Sequence, residues 1–314
     1  MSRPCILCGG TNTTTQRLGG AMIRRSLTEY FGAPPPDNVA IGDYDLLECK
    51  KCQMVSAVPM IAGDDVFYRW VTSQPHYYPS FRWEWQSVVE QIARAAASRP
   101  ISILDVGCGS GDFLSLIKSV RNVDAWGLDA TITSVDAAKA RGLNAVCADM
   151  NEFLLLHPSK RFDMVTSFHC VEHVEDPVSF MHNIKSLLKP NEGVAWISAP
   201  LSPMSFEYGW FDPLNHPPHH ISRWSKTALE KLADITGFEV SVTSSPAGTI
   251  ISRALKALML AKVGRLRYGG GTQAILLAAK HFPDFAKEFI VQSHRPKIDG
   301  KTAGDTFLAA FTLP

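Results

Sequence analysis

The chain lacks any apolar run approaching the roughly 20 residues a membrane-spanning helix requires, and its opening Met1-Ser-Arg-Pro-Cys-Ile6 lacks the apolar stretch of a secretory leader. No charge of either sign dominates. Lys and Arg number 31 against 30 Asp and Glu, so no net field draws the chain to nucleic acid. Acidic residues are missing altogether from Val240 to Pro283, where Arg253, Lys256, Lys262, Arg265, Arg267 and Lys280 are all cationic. The cysteines form two CxxC pairs and three singles, an arrangement that suits metal chemistry in a reducing compartment and not a disulfide framework. These absences lead us to expect a cytoplasmic protein with no transmembrane segment, and they give no argument for nucleic acid as a partner.

What is present, at 314 residues, is length enough for one large α/β domain and a small module. Strands are expected near 101–106, 123–128, 144–148, 162–168 and 194–199, with helices near 111–121, 131–141 and 177–189. A helix over Ser225–Thr236 should end at Gly237, followed by a strand over Phe238–Val242, and Thr306–Thr312 should return to the sheet. Strands separated by helices predict a doubly wound, mostly parallel sheet that binds ligands beyond the carboxyl ends of its strands.

The run Ile103-Leu-Asp-Val-Gly-Cys-Gly-Ser-Gly-Asp112 takes such a strand into a tight turn built on Gly107, Gly109 and Gly111. Glycine permits positive φ and lets a ligand lie on the backbone. The spacing is G-x-G-x-G, one residue short of the dinucleotide fingerprint. Asp105 also precedes the turn. A fixed carboxylate there repels a pyrophosphate and attracts an ammonium, which suits S-adenosylmethionine. Asp129, after the next apolar run, sits where a ribose hydroxyl needs an acceptor.

Asp105-Val-Gly-Cys-Gly-Ser-Gly111 resembles the first motif of class I S-adenosylmethionine-dependent methyltransferases. Asp129, Ala148-Asp149-Met150, Phe162–Pro177 and Leu187–Gly193 follow in that family's order, so the resemblance spans about residues 80 to 245. It implies a Rossmann-like core. Asp105 would hold the methionine end, Cys108 and the three glycines would line the cofactor, and Asp129 would bind the ribose. Asp149 and Met150 would flank the adenine, and His169 would lie beside the cofactor.

Cys5-Ile-Leu-Cys8 and Cys49-Lys-Lys-Cys52 can supply four thiolates to a structural zinc ion. The Asn12–Gly42 stretch between them reads as a loop or arm. Cys108, Cys147 and Cys170 read as small buried residues at strand ends.

Two histidine-bearing stretches follow expected strands. His169-Cys-Val-Glu-His173 matches H-x-x-E-H, an inverted zinc-protease pattern, but the glycine turn places it in another fold. Three readings remain open. His173 is a general base oriented by a carboxylate, or His169, Glu172 and His173 bind a metal with His219 or His220, or Glu172 and His173 only shape a pocket floor. A similar Glu-His pair occurs in nucleotide-sugar C-methyltransferases, which also carry an N-terminal zinc module. His216-Pro-Pro-His-His-Ile-Ser-Arg-Trp224 resembles the same enzymes. There His219 or His220 would bind acceptor groups, and Trp210, Phe211 and Trp224 would pack on its face. The alternative is a proline-stiffened lid. Tyr77–Trp85 would cover the cofactor or join the core. Those enzymes continue into a further C-terminal domain, and we expect this protein to depart from them by ending soon after the core.

The expected division is a zinc module over 1–60, a pre-core helical segment over 61–98 and the cofactor-binding core over 99–248. A basic helical insertion with the last strand occupies 249–314. The basic helix, 251–267, reads first as a solvated insertion before the last strand; an anionic substrate, a membrane surface or an acidic partner are the alternatives. The expected activity is methyl transfer to oxygen or carbon of a small polar acceptor such as a sugar or nucleotide-linked sugar. The rivals are an RNA methyltransferase with a zinc ribbon and a non-catalytic cofactor-binding scaffold.

Overall fold

A computed structural model describes residues 3–75, 77, 79, 81–264 and 271–314. The chain begins with β1 (Asn12–Leu18), α1 (Gly20–Phe31), β2 (Tyr44–Cys49), β3 (Val55–Val58) and α2 (Asp65–Thr72). Alternation follows: α3 (Trp83–Ser98), β4 (Ile101–Val106), α4 (Asp112–Ile117), β5 (Val123–Asp129), α5 (Ile132–Ala140), β6 (Ala145–Cys147), α6 (Met150–Leu156) and β7 (Met164–Phe168). Next come α7 (Pro177–Leu187), β8 (Val194–Pro200), β9 (Ser222–Arg223), α8 (Lys226–Thr236) and β10 (Glu239–Pro246). The chain closes with α9 (Ile250–Val263), α10 (Gly271–Lys280), α11 (Phe282–Ser293), β11 (Lys297–Ile298) and β12 (Lys301–Thr312).

These elements form two compact units. One comprises Met1–Pro79, Pro200–Lys226 and Ser244–Phe307, the other Ser80–Ala199, Thr227–Thr243 and Leu308–Pro314. The second carries the Rossmann-like α/β sheet, ordered β10-β12-β8-β7-β4-β5-β6. β4 pairs in parallel with both β5 and β7, so the strand order reverses at β4. Ligands of such sheets lie at that switch point. Ile101, Ile103 and Leu104 of β4 are all buried, as expected of a strand covered on both faces. On α3, Val88, Ile92 and Ala96 recur at four-residue spacing and face the same core. Asp176 caps α7, accepting from the N–H groups of Val178 and Ser179 at 3.1 and 3.0 Å, with Pro177 in the first turn.

The first unit holds an antiparallel sheet, β1-β2-β3-β9, over a core that includes Leu18, Ile23, Leu27, Leu46, Phe67 and Ile221. Here the structure corrects the loop expected over 12–42. Thr13 and Thr14 are β-branched and pair with Glu48 and Leu47 of β2, while Thr15 falls at a bulge and donates its hydroxyl to the Leu46 carbonyl. Ile23 and Leu27, four apart, bury one face of α1, which ends at left-handed Gly32 (φ +75°). The helix expected over 111–121 is shorter, ending at Ile117. Two helices, α10 and α11, were not anticipated after the basic one.

The charges of α9 are largely spent locally. Lys256 pairs with Asp305 at 3.0 Å and Lys262 with Asp284 at 2.6 Å, while Arg253 is buried and donates to the carbonyls of Gly248 and Gln292. Arg265 and Arg267 lie outside the described residues. Cys147, expected to be buried, is exposed at the end of β6. No helix among the described residues is long and apolar enough to cross a membrane.

Candidate active site

The glycine turn is stitched to the end of β5. Gly107 and Cys108 donate to the carbonyl of Leu128 at 2.7 and 3.1 Å, and Gly109 donates to Asp129 Oδ2 at 2.9 Å. All three glycines have positive φ, but they do different things. A Cβ on Gly107 would lie 2.2 Å from Cys170 Sγ, and one on Gly111 would lie 2.4 Å from Leu143 Cδ1. A Cβ on Gly109 would meet nothing within 4 Å. Gly107 and Gly111 are therefore glycine because protein presses on them. Gly109 alone faces open space of the kind a ligand can fill.

Asp105 lies opposite Thr166 in the β4–β7 register, and the Thr166 hydroxyl donates to its Oδ1 at 2.7 Å. The carboxyl is almost wholly buried. Burial pushes it up to about 7, with the Thr166 hydrogen bond opposing the rise and the charge of Asp129 adding to it. A buried acid of this kind holds a proton loosely near neutrality and gains from a cationic partner. The Asp129 carboxylate accepts from Gly109 on one oxygen and from the Thr131 N–H on the other, at 2.8 Å. Each oxygen keeps a second lone pair for a ribose hydroxyl. Cys108 is buried, and burial together with the charges of Asp105 and Asp129 raises its thiol pKa, so the thiol stays neutral. Asp149 is exposed and caps α6 in a reciprocal pair with Glu152, and Met150 opens that helix half-buried.

After β7 the chain turns sharply at His169, whose φ is +56°. Its Nε2 lies 2.9 Å from Glu84 Oε1 and its Nδ1 lies 3.3 Å from Glu172 Oε1. Both carboxylates are buried. His173 follows within a turn of 3-10 helix (Val171–His173) and is half-buried. Glu84, Arg82 and Thr166 are the residues that sequence reasoning missed. A glutamate between Trp83 and Trp85 in an aromatic run, and a threonine inside an apolar strand, were the available signals.

In the first unit the four N-terminal cysteines converge. Cys5 and Cys52 sulfurs are 3.6 Å apart, Cys8 and Cys49 sulfurs 3.5 Å, and all four lie within 4.8 Å of one another. Thiolates at about 2.3 Å from a tetrahedral zinc ion stand roughly 3.8 Å apart, so the cluster fits the ion. Gly10 rests against it, where a Cβ would be 3.1 Å from Cys49 Sγ. Burial opposes ionisation of Cys49, yet N–H groups of Cys52 and Lys51 and neighbouring thiols bring it down to about 7.

A family model described as a methyltransferase domain matches residues 81–242, just over half of the chain. The chain belongs to that family. It is 26% identical over 160 residues to a ubiquinone biosynthesis O-methyltransferase of Coxiella burnetii, covering 43% of this chain and 65% of that protein. It is 34% identical over 105 residues to the Histophilus somni protein of the same name, covering 31% and 43%. The chain thus spans less than two thirds of the length of these relatives. Among solved structures it is similar to the plantazolicin methyltransferase BpumL in complex with SAH, with 16% identity and a TM-score of 0.48, covering 80% of this chain and 91% of that one.

His216, His219 and His220 all lie in the first unit. His216 stacks on Phe211 at 3.9 Å and donates to the Asp212 carbonyl, and burial lowers its pKa to about 3, so it is a neutral packing residue. His219 is buried. Its Nδ1–H donates to the Leu214 carbonyl at 2.7 Å, which leaves Nε2 to accept from the Tyr77 hydroxyl at 2.8 Å. His220 stacks on His219 at 4.5 Å and contacts Asn215 Oδ1 at 3.2 Å. Trp224, expected to pack on an acceptor, is instead fully buried with its indole N–H on Ser222 Oγ.

Proposed function

We propose that this methyltransferase transfers a methyl group to an oxygen of a small polar acceptor, with its cofactor on the glycine turn. The observation that carries the reading is the pairing of open space over Gly109 with the buried carboxyl of Asp105 two residues before the turn. When bound, S-adenosylmethionine supplies a methyl group already activated by a sulfonium. Asp105 binds the ammonium of the methionine end, exchanging its proton for a cationic neighbour. Asp129 accepts from the ribose hydroxyls, while Asp149 and Met150 border the adenine.

What remains for the chain is to align the acceptor and take its proton. We assign the proton to His173, the half-buried histidine next to Glu172. Oxygen is preferred to carbon because the partial relatives are O-methyltransferases. A sugar or nucleotide-linked sugar is the acceptor class suggested by the resemblance of His216–Trp224. The four cysteines support a structural zinc ion, whose ligation would add to the stability of the first unit.

The test is a methyl-transfer screen of sugars, nucleotide sugars and small hydroxylated metabolites, read by mass shift. A gain of one methyl on a hydroxylated acceptor is expected. Methylation confined to RNA would overturn the reading. His173→Ala should lower turnover at least 100-fold with cofactor affinity within about twofold, in line with the 10²–10⁴ range for a general base. Undiminished turnover would remove His173 from that role.

A further inference from the structure

His169 was expected to serve as a catalytic or cofactor-contacting group. Its surroundings describe something else. A neutral imidazole carries one N–H and one lone pair. Here Nε2 is hydrogen-bonded to Glu84 Oε1 at 2.9 Å, and Nδ1 lies 3.3 Å from Glu172 Oε1, within ion-pair distance though without hydrogen-bond geometry. A second proton on the ring gives it a charge that both buried carboxylates attract.

The neighbouring charges are Arg82, whose guanidinium is 3.7 Å from the same Glu84 oxygen, and His173, which acts on Glu172. Burial and Arg82 work against charging His169, but the contacts with Glu172 and Glu84 outweigh them and raise its pKa. The carboxyls respond in kind. Burial pushes each up, and His169, joined by Arg82 at Glu84 and by His173 at Glu172, outweighs it, so both are lowered.

The backbone adds an independent observation. His169 sits in the left-handed region at φ +56°, which costs a non-glycine residue about 1 kcal/mol or more and persists only where surroundings enforce it. Its N–H is tied to the Ser198 carbonyl at 2.8 Å and its ring to α3 through Glu84. The reversal brings Cys170 onto Gly107, so closely that no Cβ fits between them. The seat of residues 169–173 is thereby pressed on the glycine turn.

We propose that His169 is a positioning residue, held as an imidazolium between Glu84 and Glu172, that braces the segment after β7 against the glycine turn and so shapes the cofactor seat. An imidazolium has no lone pair to accept a proton, so His169 is not the base. The inference rests on the reading of the glycine turn as the cofactor site.

The experiment uses the full chain. Nitrogen-15 spectra of the imidazoles are followed from pH 5 to 9, and S-adenosylhomocysteine binding is measured by calorimetry. In the wild type His169 should stay protonated on both nitrogens to higher pH than an ordinary imidazole. Glu84→Gln, which keeps the shape and removes the charge, should return its titration toward the ordinary value of about 6.5. Glu84→Gln and His169→Asn should each weaken S-adenosylhomocysteine binding about tenfold while the melting temperature shows both folded; asparagine is chosen because it tolerates the left-handed backbone.

Titration of wild-type His169 near 6.5, or unchanged binding by both variants, would overturn the proposal. Absence of S-adenosylhomocysteine binding by the wild type would count against the cofactor reading, while the ring-nitrogen spectra would still report the brace.

Discussion

Asp105 carries a stability cost that its proposed role explains. Its carboxyl pKa is raised to about 7 in the folded chain, well above the unfolded value. A raised acid favours folding below the unfolded pKa and loses that advantage as pH climbs from about 4 toward 7. Asp105→Asn should therefore raise the melting temperature of the ligand-free protein at pH 8. It should also weaken S-adenosylmethionine about 10- to 100-fold, the equivalent of one hydrogen bond to a charged group. In the wild type, affinity should rise between pH 6 and 8, with a proton released to buffer on binding. Scanning calorimetry and titration in two buffers check both effects; a less stable variant with full affinity would contradict the assignment. The glycines separate in the same way. Gly109→Ala should cost about 1 kcal/mol of stability for its φ but most of the cofactor affinity. Gly111→Ala, driven into Leu143 and Ala138, should chiefly destabilise the fold. The sequence marked Asp105 by its place before the turn. Its protonation state was not readable, because that depends on burial and on Thr166, 61 residues away.

At the scale of elements, the cysteine knuckles were legible because zinc ligation demands a fixed local spacing that neighbours in the chain can supply. The element between them was misread. Threonines and prolines resemble a loop, and the helical face of α1 amounts to only Ile23 and Leu27 of its apolar residues being fully buried. Metal analysis of protein purified without chelator should find about one zinc per chain. Cys49→Ser should lower that occupancy and the melting temperature together, since binding energy of such a site is folding energy. Full occupancy in the serine variant would exclude Cys49 as a ligand. In the sequence the basic stretch of α9 reads as a solvated insertion, with an anionic partner as the alternative. Asp284 and Asp305 neutralise it from sequence positions beyond the acid-free run, which no window along the chain could reveal.

Across the whole molecule, stability at low pH should follow Asp163 in the second unit. This buried carboxylate is held by Arg99, Lys189 at 2.7 Å and the Ser102 N–H at 2.7 Å. Burial raises its pKa, but the Lys189, Ser102 and Arg99 contacts prevail and lower it well below the usual range. A depressed acid stabilises the fold above the unfolded pKa near 3.8 and loses that contribution as pH falls through the lower folded value. Asp163→Asn should cost about 2 kcal/mol at pH 7, the buried-pair penalty discounted for half-exposed partners. The difference from wild type should shrink toward pH 2 in urea unfolding; a constant difference would rule out the charge.

The sequence alone determined the alternation of strands and helices, the glycine turn and the two cysteine knuckles. Each of these is a demand of local backbone geometry or ligand spacing, met by residues near one another in the chain. The tertiary structure decided which of those residues work as pairs. Parallel register sets Asp105 against Thr166, and α3 delivers Glu84 to a histidine 85 residues later. Burial of those contacts then sets the charge each group carries, and that charge separates a base from a brace.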